Sequence, residues 1–252
     1  MSTLAAVNAE RIKLSTIRSP LWSGLAAAVC SLGIAALQGG TAYGAASLSP
    51  ERAVIGVAVF GVPVLMVLAA MTVTGEYRSG MIRATFIANP NRTMVLVAKA
   101  IVAVVFSGVY TVLLTIAALV VARLSSDPMI GAELSLAHGA VWRLVFAMAT
   151  YAALAAILGV GVGALLRHTA GAVALLLLWP LVIEPIVANL PDIGTEVGPY
   201  LPFTNVFVFT RVQWLYPSYD MPWGPIGSLL YSVVVVGVVF GAAVLLLNRR
   251  DA

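Results

Sequence analysis

Residues 74–99, TGEYRSGMIRATFIANPNRTMVLVAK, form a polar and basic island between two long apolar runs. Within it, residues 89–91 (Asn-Pro-Asn) favour a turn, because proline cannot continue a helix and asparagine suits turn conformations. The island therefore predicts a short helix closed by a loop, set between two apolar helices. It carries four of the chain's fourteen Lys and Arg residues: Arg78, Arg83, Arg92 and Lys99.

The composition decides the class of protein. Hydrophobic residues make up 61% of the chain and charged residues only 10%, with a mean hydropathy of +1.02. Soluble domains carry about 25% charged residues, so this chain cannot cover a surface that faces water. We predict an all-α integral membrane protein with a single domain, residues 1–252. The net charge of +4 does not indicate a nucleic-acid partner, because the cations lie beside apolar runs and not on a basic surface helix.

Six apolar segments approach or exceed the roughly 20 residues that a membrane-spanning helix needs. They cover about residues 21–37, 53–73, 95–122, 141–166, 169–187 and 227–247. Residues 1–20 predict an interfacial amphipathic helix, with Arg11, Lys13 and Arg18 beside its apolar positions. Residues 189–223 contain five prolines and many aromatic residues, so no part of them could span a membrane uninterrupted. They predict a re-entrant helical segment on the external side of the membrane.

The cations set the expected orientation. Lys and Arg residues concentrate in cytoplasmic loops, and ten of the fourteen fall in segments on one side of the predicted spans. We therefore expect a multi-pass protein with both termini in the cytoplasm. The ten cations are Arg11, Lys13, Arg18, Arg78, Arg83, Arg92, Lys99, Arg167, Arg249 and Arg250.

The sequence offers no nucleotide chemistry of its own. It lacks the G-x-x-x-x-G-K-[ST] pattern that cradles phosphates, so ATP and Mg²⁺ are expected on a separate chain. His138 and His168 fall on opposite sides in the predicted topology, which excludes a shared metal site. We expect no catalytic residue, no cofactor and no metal in this chain, and hence no enzyme activity.

Glycines spaced four residues apart occur in two of the predicted spans. Gly159 and Gly163 lie in span four, and Gly237 and Gly241 lie in span six. Such small-xxx-small spacing predicts close contact with a neighbouring helix.

Three stretches resemble the permease subunits of bacterial type-2 ATP-binding-cassette exporters. Residues 10–22 (ERIKLSTIRSPLW) are similar to the interfacial helix of that family, residues 74–83 (TGEYRSGMIR) to its first cytoplasmic coupling segment, and residues 200–203 (YLPF) to its re-entrant region. The resemblance implies an exporter of the bacterial cytoplasmic (inner) membrane. It further implies a homodimer or heterodimer of permease subunits that encloses the path, together with two copies of an ATPase subunit.

The resemblance also implies that the cytoplasmic coupling segment, residues 75–93, docks in a cleft of the ATPase. We expect Gly75 to break the helix of span two, and we expect charge reversal at Glu76 to impair coupling more than folding. The residues expected to make the ATPase contact are Glu76, Tyr77, Arg78, Met81, Ile82 and Arg83.

Three residues near the outer part of the chain are candidates for a path or gate: Glu184, Trp179 and Phe207. A carboxylate inside a membrane often marks an ion or substrate path. The alternative is that Glu184 faces water at the outer interface and that the aromatic side chains are interfacial anchors.

A second alternative concerns the function of the whole protein. It would then be a membrane anchor or sensor that binds a cytoplasmic partner through residues 75–93 and transports nothing.

The predicted topology is open to a labelling test. Cysteines introduced at Ser126 and Ser218 are expected to react with an impermeant thiol reagent from the external side. Cys30 is expected to stay unreactive, because an apolar span denies its thiol the water that a thiolate needs. A membrane-permeant reagent provides the control for accessibility, and labelling confined to inside-out vesicles would contradict the arrangement.

Overall fold

A computed structural model describes residues 3–42, 47–213, 216–219 and 221–249. This leaves Arg250 and small parts of the predicted segments 1–20 and 189–223 outside the described residues. The described chain is almost wholly helical and contains no strand. The predicted all-α fold is therefore confirmed.

Twelve α-helices form the described chain. They are α1 (Thr3–Thr16), α2 (Ser19–Gly40), α3 (Pro50–Ala53), α4 (Val62–Ser79), α5 (Met81–Ala88), α6 (Arg92–Ser125), α7 (Gly139–Leu166), α8 (Thr169–Leu178), α9 (Glu184–Ala188), α10 (Ile193–Val197), α11 (Pro202–Thr210) and α12 (Gly224–Arg249). Two π-helical segments, Val57–Gly61 and Trp179–Ile183, precede α4 and α9. Both lie at or beside a proline, whose missing N–H interrupts the regular hydrogen-bond ladder.

Six helical stretches in the described residues are long and apolar enough to cross a membrane. They are Ser19–Gly40, Val57–Ser79, Arg92–Ser125, Gly139–Leu166, Thr169–Ala188 and Gly224–Arg249. The second and fourth form the centre of the bundle, with 72% and 61% of their apolar windows buried, whereas the last has only 17% buried. The outer helices thus leave most of their apolar surface for lipid or for another chain.

The loops sort into two ends of the bundle. At one end, the guanidinium of Arg167 lies 5.1 Å from the ring centre of Tyr77, and Arg92 donates to the carbonyl of Leu247. We name this end the basic end. It contains the α4–α5–α6 junction, the α7–α8 junction and the end of α12. At the opposite end, the backbone N–H of Leu48 donates to the carbonyl of Ile130.

The break in span two falls later than the sequence predicts. Helix α4 continues through Gly75 as far as Ser79, so the prediction that Gly75 breaks the helix is wrong. The chain turns instead at Gly80, whose φ of 73° lies in the left-handed region that glycine adopts without a steric penalty. Glu76 consequently belongs to the last turns of α4 and not to the first turn of α5.

Glycines in α7 allow it to approach α4 closely. A Cβ added at Gly163 would lie 2.7 Å from the carbonyl oxygen of Ala70, and one at Gly159 would clash with the carbonyl oxygen of Met66. The predicted small-xxx-small contact is confirmed for this pair. At Gly237 and Gly241 an added Cβ would meet nothing within 4 Å in the described chain, so this second pair makes no such contact here.

Cys30 lies on the outer surface of α2, where its side chain is exposed to the surroundings of the bundle. Because α2 is one of the six apolar spans, these surroundings are lipid or a second chain and not the protein core.

The glycine contact gives a stability prediction. Gly159→Ala is expected to destabilise the protein by about 1–3 kcal/mol, because the new methyl group must push α7 away from the α4 backbone. Gly237→Ala is the matched control and is expected to leave the stability unchanged or raise it by up to about 1 kcal/mol, since its methyl group meets no described atom and alanine favours a helix. Thermal unfolding in detergent micelles measures both, and equal melting temperatures for the two variants would contradict the close contact.

Candidate functional site

The basic end contains a closed ring of four charged side chains, Glu10, Lys13, Glu76 and Lys99, which we name the charge ring. Glu76 Oε1 lies 2.8 Å from Lys13 Nζ and 2.7 Å from Lys99 Nζ. Glu10 completes the ring, with Oε1 2.8 Å from Lys13 Nζ and Oε2 2.7 Å from Lys99 Nζ. Opposite charges alternate around the ring, and together they join α1, α4 and α6.

Lys99 is the most deeply buried member of the charge ring, with 3% of the residue exposed. Its ammonium group donates to Glu10 and Glu76 and also to the backbone carbonyl of Thr72, at 3.1 Å. All three of its N–H donors therefore have an acceptor. An ammonium group buried without such partners would cost several kcal/mol.

Lys13 lies at the outer edge of the ring and is only half-buried. Burial disfavours its charged form, but hydrogen bonds to Glu10 and then to Glu76, together with the charges of both carboxylates, outweigh that effect and raise the pKa of Lys13. Lys13 therefore remains a cation at neutral pH.

Thr85 attaches helix α5 to the charge ring. Its hydroxyl donates to Glu76 Oε2 at 3.2 Å, and Lys13 Nζ donates to the same hydroxyl oxygen at 3.4 Å. The short helix α5 is thus held at its middle by the two charged residues nearest to it.

The turns on either side of α5 fix its direction. Gly80 ends α4 and begins α5, and the predicted turn at residues 89–91 is present. The side chain of Asn91 caps α6 by accepting from the backbone N–H of Met94 at 2.9 Å. Asn89 accepts from the backbone N–H of Asn91 at 3.3 Å and so stabilises the turn itself.

The structure divides the residues expected to contact the ATPase into two groups. Glu76 and Ile82 are buried, and Tyr77 is half-buried beneath Arg167. The expectation that Glu76 lies on a docking surface is therefore corrected, because its carboxylate is occupied by Lys13 and Lys99. Arg78, Met81 and Arg83 are exposed.

Because Glu76 is buried in the charge ring, the prediction that Glu76→Lys impairs coupling more than folding also changes. Glu76→Lys would place a third ammonium group beside Lys13 and Lys99 and would leave Glu10 as the only carboxylate of the ring. The change is now expected to damage folding first, so it cannot serve as a test of docking.

Four functional candidates were not found from the sequence. Glu10, Thr85 and Lys99 belong to the ring and its attachment, and Ile87 has the most exposed side chain of α5, at 83%. The sequence did contain one signal for the ring: an acid, Glu10, and a cation, Lys99, each stand near apolar residues of a predicted helix, which favours their pairing. Arg11 and Arg18, which the sequence placed beside Lys13 on the interfacial helix, are exposed and do not join the ring.

The three candidate path or gate residues, Trp179, Glu184 and Phe207, lie together where span five and α11 meet the middle of α7. Glu184 is 1% exposed, so the alternative that it faces water is wrong. Its Oε1 accepts from the backbone N–H of Thr204 at 2.7 Å, near the start of α11, and its Oε2 accepts from the indole N–H of Trp179 at 3.0 Å. A carboxylate at this place satisfies the free N–H groups of a helix N-terminus and is favoured by the helix dipole.

Phe207 is buried on α11, between two other aromatic rings. The centre of its ring lies 6.1 Å from that of Tyr151 on α7 and 5.2 Å from that of Tyr216. We name Trp179, Glu184, Thr204 and Phe207 the Glu184 cluster. It joins the π-helical segment of span five to α11 and α7.

A family model for ABC-2 family transporter protein matches residues 6–182. The chain belongs to the ABC-2 transporter family. Members of this family are membrane permease components of ATP-binding-cassette transporters, and the ATPase itself is a different component. A search of curated proteins found no match. The matched region of this ABC-2 permease contains the whole charge ring and α5 and ends just before Glu184.

Removal of Lys99 tests the charge ring. Lys99→Met leaves two buried carboxylates with a single cation and is expected to destabilise the protein by about 3–5 kcal/mol. Arg143→Met is the matched control: Arg143 pairs with Glu51 across 3.6 Å in a partly exposed place, where a pair contributes about 1 kcal/mol or less. Unfolding in detergent micelles compares the two variants. Equal losses would show that the ring contributes no more than a surface pair.

Proposed function

We propose that this ABC-2 permease is the transmembrane subunit of an ATP-driven exporter, with ATP hydrolysis on separate ATPase subunits. Two permease subunits, as a homodimer or a heterodimer, enclose the path, and two ATPase subunits bind at the basic end. In this proposal the basic end and both termini face the cytoplasm of a bacterial cell, as the excess of cations at that end supports.

The observation that carries the proposal is the exposed side of α5 together with Arg78, in the last turn of α4. Arg78, Met81, Arg83 and Ile87 are exposed there, and we name this set the α5 surface. It presents apolar side chains flanked by cations at the end of the bundle, where no described part of the chain covers them. Apolar anchors with a charged rim are typical of a protein-binding surface.

The charge ring makes this surface suitable for the transmission of force. A displacement of α5 acts through Thr85 on Glu76 and Lys13, which are paired in turn with Lys99 and Glu10. Because separating buried opposite charges is costly, α1, α4 and α6 should move with α5 as one unit. Transport then follows if the partner's ATP-dependent closure moves the two α5 surfaces of the dimer.

The proposed path lies at the interface between the two permease subunits, and the Glu184 cluster is the proposed gate at its outer end. The export direction rests on the resemblance to exporter permeases in the interfacial helix, coupling segment and re-entrant region.

Affinity purification of the full-length chain from its host in mild detergent tests the assembly. The expected result is the recovery of a chain with a Walker A sequence in equal amounts with the permease, and ATP hydrolysis that depends on both. Stable recovery of a different cytoplasmic partner without ATP hydrolysis would instead support the membrane anchor or sensor.

Substitution in the α5 surface locates the contact. The double variant Met81→Glu with Ile87→Glu is expected to lower ATPase recovery roughly tenfold or more, because interface anchors dominate binding free energy. Its unfolding temperature should stay at the wild-type value, since both side chains are exposed.

The matched control for the double variant is Leu124→Glu with Met129→Glu, at two similarly exposed apolar residues of the opposite end. This control is expected to bind the ATPase normally. Equal recovery with both double variants would place the docking site elsewhere.

A further inference from the structure

Helix α12 is attached to the coupling segment by two side chains at the basic end. Arg92 Nη1 donates to the carbonyl of Leu247 at 3.0 Å, and Asn248 Nδ2 donates to Thr93 Oγ1 at 3.0 Å. A cation at this place complements the free carbonyls and the negative end of the helix dipole. We name these contacts the α12 tie.

Arg92 also contacts helix α5. Its guanidinium lies 5.2 Å from the ring centre of Phe86, a geometry that favours a cation–π interaction. Arg92 therefore touches α5 and α12 at once, while its own backbone begins α6.

The other end of α12 is attached to the re-entrant segment. The indole N–H of Trp223, just before α12, donates to Asn205 Oδ1 at 3.0 Å. Asn205 is fully buried on α11 and donates to the carbonyls of Pro199 and Leu201 at 2.8 and 2.9 Å. The hydroxyl of Tyr231, in the second turn of α12, donates to the carbonyl of Tyr200 at 2.6 Å.

Between these two attachments α12 is a continuous helix. Its 26 residues correspond to about 39 Å at 1.5 Å per residue, and no π-helical segment interrupts it, in contrast to spans two and five. Most of its apolar side faces outward, and its inner side packs mainly against α7 and α11. Helix α11, at its far end, is in turn capped by Glu184 of span five.

We propose that α12 is a connecting rod, a helix that moves as one rigid body and passes a displacement from one end to the other. Arg92 is the positioning residue that joins it to the coupling segment. A displacement of α5 is transmitted by Arg92 to the end of α12, along α12 to α11, and through the bond between Thr204 and Glu184 to span five. The inference rests on the proposed function, because the partner ATPase supplies the displacement.

A second route to the outer end exists through α7, which packs against both α4 and α12. Gly161 of α7 lies close enough to α12 that an added Cβ would be 3.4 Å from Phe240. The test must therefore break the α12 tie and leave the α7 contact intact.

The experiment uses the full chain purified with its ATPase in lipid nanodiscs, with Cys30→Ser as background. An environment-sensitive fluorophore is attached at Ile226→Cys, on the exposed first turn of α12, or at Phe146→Cys, on the exposed face of α7 near the same end. The signal is the fluorescence change on trapping with ATP and vanadate.

Arg92→Ala is expected to remove most of the signal at position 226, because a displacement of α5 no longer reaches the end of α12 through the tie. The signal at position 146 and the recovery of the ATPase are expected to stay at wild-type levels. Asn248→Ala removes the other hydrogen bond of the tie and should act in the same direction. Wild-type unfolding temperatures for both variants exclude a general loss of fold.

A reversible cross-link supplies the rescue. The side chains of Thr93 and Asn248 are hydrogen-bonded, so Thr93→Cys and Asn248→Cys can be bridged in the Arg92→Ala protein by a short bis-methanethiosulfonate before position 226 is labelled. The cross-link is expected to restore the signal at position 226, and its reduction to remove the signal again. A merely local structural role of Arg92 predicts no such dependence on reductant.

Three outcomes would overturn the rod. A full signal at position 226 in Arg92→Ala would show that α7 or another route carries the movement. Equal losses at positions 226 and 146, or loss of ATPase recovery, would place Arg92 in the docking surface or in general folding. If no ATPase is recovered with the wild-type chain, the proposed function itself fails and the rod fails with it.

Discussion

The burial of one ammonium group governs the basic end of this permease. Lys99 lies in the first turns of a membrane-spanning helix, where water is too scarce to hydrate its charge. Two carboxylates, Glu10 and Glu76, must therefore reach it, and Lys13 balances the second negative charge. The resulting ion pairs hold α1 against α4 and α6.

The same requirement divides residues 76–87 into buried residues that hold α5 in place and residues that are exposed. Buried members of the segment, Glu76 above all, are occupied in the charge ring and hold α5 through Thr85. The remaining members point outward as the α5 surface, where they are free to contact another protein. Because the charges that hold the segment are buried while Arg78, Met81, Arg83 and Ile87 are exposed, a partner can bind without competing for those charges.

A second buried carboxylate, Glu184, is stabilised by hydrogen bonds and not by an ion pair among the described residues. It accepts from the backbone N–H of Thr204 and from the indole N–H of Trp179. Trp179 lies in the π-helical segment of span five, directly before α9, which begins at Glu184. These bonds join span five to α11, and Asn205 of α11 is bonded in turn to Trp223, just before α12.

The sequence by itself determined the class of protein, the six spans, the turn at residues 89–91 and the close approach at Gly159 and Gly163. Hydropathy, helix length, turn residues and small-residue spacing are local properties, so a short window reveals them. Only the tertiary structure decided that Glu76 is buried, that Glu10 meets Lys99 and that Glu184 caps a helix. Each of these contacts joins residues on different helices, and which side chains meet depends on the rotation and depth of every helix in the packed bundle. A helix of nearly uniform hydropathy has no clear apolar side, so its sequence does not predict which side faces the bundle. In the folded protein, the buried ion pairs show which sides of α4 and α6 face each other.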